Sequence, residues 1–333
     1  MKRSFIKKLL ILLLILTTFM IFIVNNNVMA ANIEETKDNP DELEILIEPE
    51  DKIMKYDART NETTEVDMEE IRQALSSKAN SNKTTTNLPS ANLLKLNKFS
   101  MNNKLNSLNV LAASTQKINN TSSYPNVTVC RIQVNANLVP TVANGTAAIV
   151  GTKLALTAAH CVFNPDNNNQ AYPGWTIYPG YNNGTYYGTA TGWDTVYYSN
   201  NWMSTHDSKY DWAICVLQAN VGSQVGNMGA VCYSTNAELN GTSIRALGYP
   251  ADTSYGYTAD AKYQYQSSGT ITSVTNEKFI SNAFSCNGFS GSPVIRSDNL
   301  IVGITSGINS QGTHCVRITQ DMVNLINNLN SNS

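Results

Sequence analysis

The last two thirds of this sequence predict an all-β protein, a barrel or sandwich of short strands finished by a single C-terminal helix. Three observations carry that reading. After Tyr124-Pro125 the chain becomes a series of short apolar runs separated by Gly, Asn and Pro, the punctuation of a strand-rich domain. All 4 tryptophans and all 6 cysteines lie beyond residue 125, so this is where a packed core can form. A helical apolar period appears there only at the end, where Met322, Leu325, Ile326 and Leu329 share one face behind Thr319, a suitable N-cap.

The strands follow from alternation and from the turns between them. Thr128, Cys130, Ile132 and Val134 alternate with their neighbours and form the first. Ala147 to Val150 then runs through Gly151-Thr152-Lys153 into Leu154-Ala155-Leu156, which reads as a hairpin. Further strands are expected at Thr176–Tyr178, Thr195–Tyr198, Trp212–Leu217 and Ser243–Leu247, then at Ala261–Gln266, Gly269–Val274, Pro293–Ile295 and Leu300–Ile304.

The front of the chain is a different kind of object. Lys2, Arg3, Lys7 and Lys8 precede an apolar run from Leu9 to Val24, followed by a polar stretch ending at Met29-Ala30-Ala31. This three-part pattern is a secretory signal, residues 1–30, with cleavage after Ala30 or Ala31. An uncleaved anchor would need about 17–25 apolar residues, and the run falls just short. Between residues 34 and 70 every charge is acidic except Lys37, Lys52, Lys55 and Arg59. Residues 31–110 therefore read as a propeptide, with a weak helical period at Met68, Ile71 and Leu75 and a linker-like stretch at 76–92. Lys98, Lys104 and Lys117 offer basic cleavage points, and residues 111–333 make up the mature domain.

Export makes an even set of 6 cysteines a disulfide set. No CxxC pair or HExxH is present, so no metal or other cofactor is expected. The C-terminal part is close to neutral and lacks the basic footprint of a nucleic-acid binder; no membrane contact is expected once the signal is removed.

The chemistry concentrates in SCNGFSGSP, Ser285 to Pro293. Ser290 lies between two glycines, where the backbone can turn sharply and leave a hydroxyl beside free N–H groups. A serine hydroxyl is a poor nucleophile alone, so a histidine base and an orienting carboxylate are required. With 3 histidines in the chain, the search is short. His160 follows Leu156-Thr157-Ala158-Ala159, small neighbours that suit an imidazole at a cleft. Asp211, in Tyr210-Asp211-Trp212-Ala213-Ile214, heads an apolar strand and needs a partner such as an imidazole N–H. Singly, these are a loop histidine, a turn aspartate and a Gly-Ser loop. Together they form a Ser-His-Asp set. Asp207 competes only weakly with Asp211, and His206 is assigned no role.

With LTAAHC, YDWAI and GFSGSP on one chain, the sequence resembles the chymotrypsin-like serine proteases, and among them the secreted bacterial glutamyl endopeptidases. The resemblance covers roughly Tyr124 to Leu329. It implies two packed six-stranded antiparallel β-barrels, the first at about 124–225 and the second at about 226–318, then a helix at 319–330. His160 and Asp211 would come from the first barrel and Ser290 from the second, with the N–H groups of Gly288 and Ser290 as the oxyanion hole. The substrates would be proteins or peptides, the enzyme a secreted monomer made as a zymogen, and activity should fall as the pH drops through roughly 6.5.

For specificity the resemblance points to Ser285, Thr305 and His314. Thr305 stands where glutamate-specific relatives carry a histidine, so it brings no positive charge, and Phe284 stands where an Asp would select basic substrates. A bridge from Cys286 to Cys315 is implied, which would hold His314 near the pocket mouth. Cys130, Cys161, Cys215 and Cys232 allow three pairings. Phe289 replaces the Asp that pairs with the new N-terminus in animal relatives, so that activation route is closed. Two other functions remain as rivals: an inactive protease-like binding protein, and a carbohydrate-binding module using Trp175, Trp193, Trp202 and the nearby tyrosines. An intact triad weighs against both.

Overall fold

The computed structural model describes residues 51–81, 115–134 and 143–332. The signal segment, the whole 82–114 stretch and, within it, the cut points Lys98 and Lys104 lie outside them. Strand is the commonest regular element among the described residues. In order these are β1 (Ile53–Asp57), β2 (Glu62–Glu65), β3 (Thr115–Lys117), β4 (Val129–Gln133), β5 (Ala143–Gly151) and β6 (Leu154–Thr157). The short pair β7 (Phe163–Asn164) and β8 (Gln170–Ala171) follows, then β9 (Thr176–Pro179), β10 (Trp193–Ser199) and β11 (Ala213–Leu217). The remainder are β12 (Ser243–Gly248), β13 (Tyr265–Val274), β14 (Lys278–Ser281), β15 (Pro293–Ile295), β16 (Ile301–Asn309) and β17 (Gly312–Arg317).

Two antiparallel barrels result. The first runs β9-β4-β5-β6-β11-β10 and closes where Ile177 on β9 pairs with Thr191 just before β10. The second runs β12-β15-β16-β17-β14-β13 and closes through β12–β13 pairing, with β3 added beside β13. Each interior is an apolar cluster of alternating residues. Ile132, Ile149, Ile177 and Leu217 fill the first, and Ile244, Ile271, Phe279 and Val302 the second. A third cluster joins the barrels and the C-terminal helix through Leu156, Ile214, Leu247, Ile304 and Leu325. Each such buried side chain stabilises the fold by about 1.5–3 kcal/mol, and this shared cluster holds the barrels together.

The C-terminal helix, Gln320–Ser331, begins where expected: the Thr319 hydroxyl accepts from Met322 N at 3.3 Å. Met322, Leu325 and Ile326 are buried, and Asn330 pins the far end to the first barrel by bonds with Thr152 N and Val150 O. The acidic front part also contributes. β1 and β2 form a hairpin that continues the first sheet beyond β10, and the helix Met68–Ser81 packs near the C-terminal helix. Residues 51–333 thus belong to one compact unit.

Several strand expectations need correction. Ala261–Gln266 is strand only from Tyr265, because Ala261 adopts φ +47° and breaks the ladder; from there β13 runs unbroken through Val274. β1, β2, β3, β7, β8, β14 and β17 were not expected. β17 carries His314, which is a paired strand residue facing Gly307 and Ile280 rather than a loop residue.

Candidate active site

His160 lies in a single turn of 3-10 helix directly after β6, and Asp211 at the entry to β11, the neighbour of β6 in the first barrel. Their backbones are therefore adjacent by topology. His160 Nδ1 and Asp211 Oδ2 are 2.6 Å apart, and His160 N donates to Asp211 Oδ1 at 3.0 Å. A third donor comes from the second barrel, where Ser306 Oγ on β16 bonds Asp211 Oδ2 at 2.5 Å. An ionised carboxylate can only accept, so Nδ1 carries the proton and Nε2 keeps a free lone pair.

Charge and burial set the titration of this pair. Burial alone would lower the His160 pKa, but the Asp211 carboxylate outweighs it and holds the imidazole well above the usual 6.5. Burial likewise pushes Asp211 up, and the attraction and hydrogen bond of His160 with the Ser306 bond bring it below 3.8. The Asp211 side chain is 4% exposed and that of His160 30%, so the imidazole presents an edge to solvent.

Ser290 comes from the turn between β14 and β15, and the turn is fastened to the first barrel by a single residue. Thr146 N donates to Ser290 O at 2.8 Å, while Thr146 Oγ1 donates to Gly288 O at 2.9 Å and accepts from Tyr249 N at 3.0 Å. Gly291 presses against the segment leading to His160. A Cβ there would stand 2.2 Å from Thr157 Oγ1 and 3.1 Å from Ala158 N, at a φ of +79°. This seats Ser290 across the barrel junction from His160. Ser290 Oγ makes no hydrogen bond among the described residues, so the pair is not closed; such bonds commonly tighten only in the substrate complex.

Gly288 has φ +92°, and a Cβ on it would lie 2.2 Å from Tyr249 O. Phe289 N and Ser292 N are turned inward to Cys286 O and Phe289 O. The N–H groups of Gly288 and Ser290 donate to no protein acceptor among the described residues. Gly288→Ala should cost about 1–3 kcal/mol in stability from the forced backbone. The same change should lower kcat more than about hundredfold by displacing one N–H. Urea unfolding and steady-state kinetics on one preparation would measure both.

Thr305 is fully buried, and its hydroxyl lies with that of Ser281 beside the Cys315 thiol, in the interior of the second barrel. Ser285 is also buried. His314 is half-buried, and burial with the nearby Lys278 lowers its pKa, so it is neutral at pH 7. The expected bridge between Cys286 and Cys315 is absent. Cys286 packs among Phe284, Phe289, Tyr257 and Tyr265, whereas Cys315 sits in the barrel core with Phe279, and their side chains belong to separate clusters. None of the 6 cysteines forms a disulfide. Burial raises the Cys286 and Cys315 thiols to about 12, which makes them inert packing groups. Opposite Cys161 stands Gly145, where a Cβ would come within 2.5 Å of Sγ and no second cysteine is available.

Ser306 and Thr146 were missed by sequence reasoning. A signal existed for Ser306: side chains alternate along a strand, so a Thr305 turned to the core turns Ser306 to the barrel junction.

A family model described as Trypsin matches residues 117–326, well over half of the chain. The chain belongs to the trypsin family. Among solved structures, this trypsin-family chain is similar to a Glu endopeptidase in complex with MPD at 24% identity and TM-score 0.56, covering 66% of this chain and 97% of that one. It is similar to a thermostable serine protease from an extremophilic microorganism at 20% identity and TM-score 0.50, covering 62% and 97%. A curated relative, the extracellular metalloprotease of Bacillus subtilis (strain 168), is 26% identical over 220 residues, 63% of this chain and 66% of that protein. The match thus spans just under two thirds of that relative's length. Among the described residues no three His, Cys, Asp or Glu side chains converge as metal ligands, and no helix is long and apolar enough to cross a membrane.

Proposed function

We propose that this trypsin-family chain is a secreted serine endopeptidase of the glutamyl endopeptidase group, made as a zymogen. Ser290 attacks the peptide carbonyl and His160 Nε2 takes its proton, returning it to the leaving amine; water then releases the acyl group by the same route. Asp211 holds the tautomer of His160 and stabilises its cation. The N–H groups of Gly288 and Ser290 receive the oxyanion. The observation that carries the reading is the buried Asp211 carboxylate bonded to His160 from one barrel and Ser306 from the other. An aspartate so held orients a base.

Substrate selection is read from what the pocket residues lack. Thr305 is turned into the barrel and His314 is neutral at pH 7, so neither offers a cation to a glutamate side chain. Phe284 offers no anion to lysine or arginine. An uncharged residue before the cut bond is therefore the expected preference. A fluorophosphonate should label Ser290, and a mixed peptide library should show the pocket preference. A folded protein that is not labelled would be a binding protein, and cleavage mainly after Glu would overturn the pocket reading.

The pH dependence has a worked sign. Catalysis needs neutral His160, whose folded-state pKa is raised, so kcat/KM should fall as the pH drops through a midpoint above 6.5 rather than at it. The raised His160 pKa also stabilises the fold below pH 6.5, a contribution lost as the pH rises through the folded value. For Asp211 the contribution is present above 3.8 and lost as the pH falls through its lowered value. A kcat/KM profile with its acid midpoint at or below 6.5 would contradict the assignment.

A further inference from the structure

The hairpin and helix at residues 51–81 are attached to the first barrel as a strand addition. β1 pairs with β10 over its whole length, Ile53 opposite Ser199 through Asp57 opposite Thr195. Both ends are fastened. Asn200 N donates to Lys52 O at 2.8 Å and Ala58 N to Asp194 O at 2.9 Å. Asp51 Oδ1 accepts from Ser199 Oγ at 2.7 Å and Asn201 N at 3.2 Å. Ile53 is buried in the cluster that joins the barrels, with Val66, Met68 and Ile71 packed on it. Tyr56 meets Phe163 and Trp193 edge-on, at 6.3 and 5.9 Å between ring centres. Arg72 bonds both oxygens of Asp321 on the C-terminal helix at 2.8 Å.

These anchors are on β10, the aromatic patch beside it and the C-terminal helix. They are not on the segments carrying His160, Asp211 and Ser290. A segment held there does not plug a cleft. Its removal would bare an edge strand whose Trp193, Tyr197 and Tyr198 are now buried, the kind of edge that recruits other chains. Hydrolysis of one peptide bond between residues 81 and 115 breaks none of these contacts. Lys117, by contrast, lies in β3 against β13, so a cut there would sever a paired strand.

Resting on the zymogen reading above, we infer that residues 51–81 stay on the mature enzyme as a second, non-covalently held chain. They cap the edge of the first barrel and are not an inhibitor that must leave. The same surface explains why an acidic, otherwise linker-like sequence carries Ile53, Tyr56 and Ile71 at spacings that fit the barrel.

The test uses the full chain with Ser290→Ala, carrying a recognition site for an unrelated protease between residues 81 and 115. After complete cutting, the fragment containing 51–81 should co-elute with the protease body at equal amounts in gel filtration. Hydrogen exchange at the β10 amides should stay as slow as in the uncut chain. A fragment that elutes separately, with β10 amides exchanging freely, would overturn the inference. The double substitution Ile53→Ala and Tyr56→Ala should release the fragment on cutting, and its retention would show that some other surface holds it. In the same chain with Ser290 intact, cut enzyme should hydrolyse a short peptide with the fragment still bound. A rate that rises only when the fragment is stripped away would make it an inhibitor and overturn the inference. Full activity before any cut would defeat the zymogen reading alone, leaving the binding result standing.

Discussion

Replacing Ser290 with alanine should lower kcat for peptide hydrolysis by about 10⁶-fold, with folding stability within about 0.5 kcal/mol of the parent. The two halves of that expectation have separate causes. In the proposed mechanism the hydroxyl forms the acyl ester, so its loss would leave the proposed oxyanion donors and base with nothing to activate. The turn, however, is held by its backbone: Ser290 O, Gly288 O and Gly291 N are all bonded, to Thr146 and Thr305. The hydroxyl itself bonds nothing among the described residues, so its removal should loosen none of the contacts there. A fluorogenic peptide assay and a urea midpoint on the same sample test both halves, and a folded, fully active Ser290→Ala protein would end the assignment.

Asp211→Asn should cost about 10⁴ in kcat, with the shape of the site kept. The carboxylate accepts from His160 N, His160 Nδ1 and Ser306 Oγ, three donors on two oxygens. An amide offers one oxygen and puts an N–H where the second stood. That N–H opposes the Nδ1 proton, so the ring turns to the other tautomer and Nε2 becomes a donor, useless as a base. The attraction that raises the His160 pKa disappears as well, and the remaining activity should have its acid midpoint moved downward. An unchanged midpoint in the kcat/KM profile would show that Asp211 does not act on His160.

The architecture was legible because it depends on patterns that repeat locally. Alternation marked β4, β10 and β11, and a clear apolar period behind Thr319 marked the last helix. β14 escaped because Lys278-Phe279-Ile280-Ser281 is too short to show a period, and β17 because Thr313-His314-Cys315 mixes polar groups into a buried strand. Their burial is set by neighbours far away in sequence. The hairpin at residues 53–65 escaped for a related reason: its charge marked it as solvated, while the few apolar residues that dock it are legible only against the face of β10. Motifs singled out His160 and Asp211, which the structure brings together, and Ser290 as candidates. The cysteine bridge is not formed in the structure, where two residues at a familiar spacing from Ser290 turn to different clusters, since sequence distance carries no direction for a side chain.

Thr146 engages four partners with its backbone N–H, its hydroxyl and its carbonyl: Ser290 and Gly288 in the turn between β14 and β15, Tyr249 just after β12, and Thr157 at the end of β6. Chemistry and assembly are thereby tied to one joint. Any fluctuation that parts the barrels releases the nucleophile turn and the oxyanion donors in the same motion. If Ser290 is the nucleophile, substitutions that loosen the barrel junction at Thr146 should lower activity even where they touch none of His160, Asp211 and Ser290.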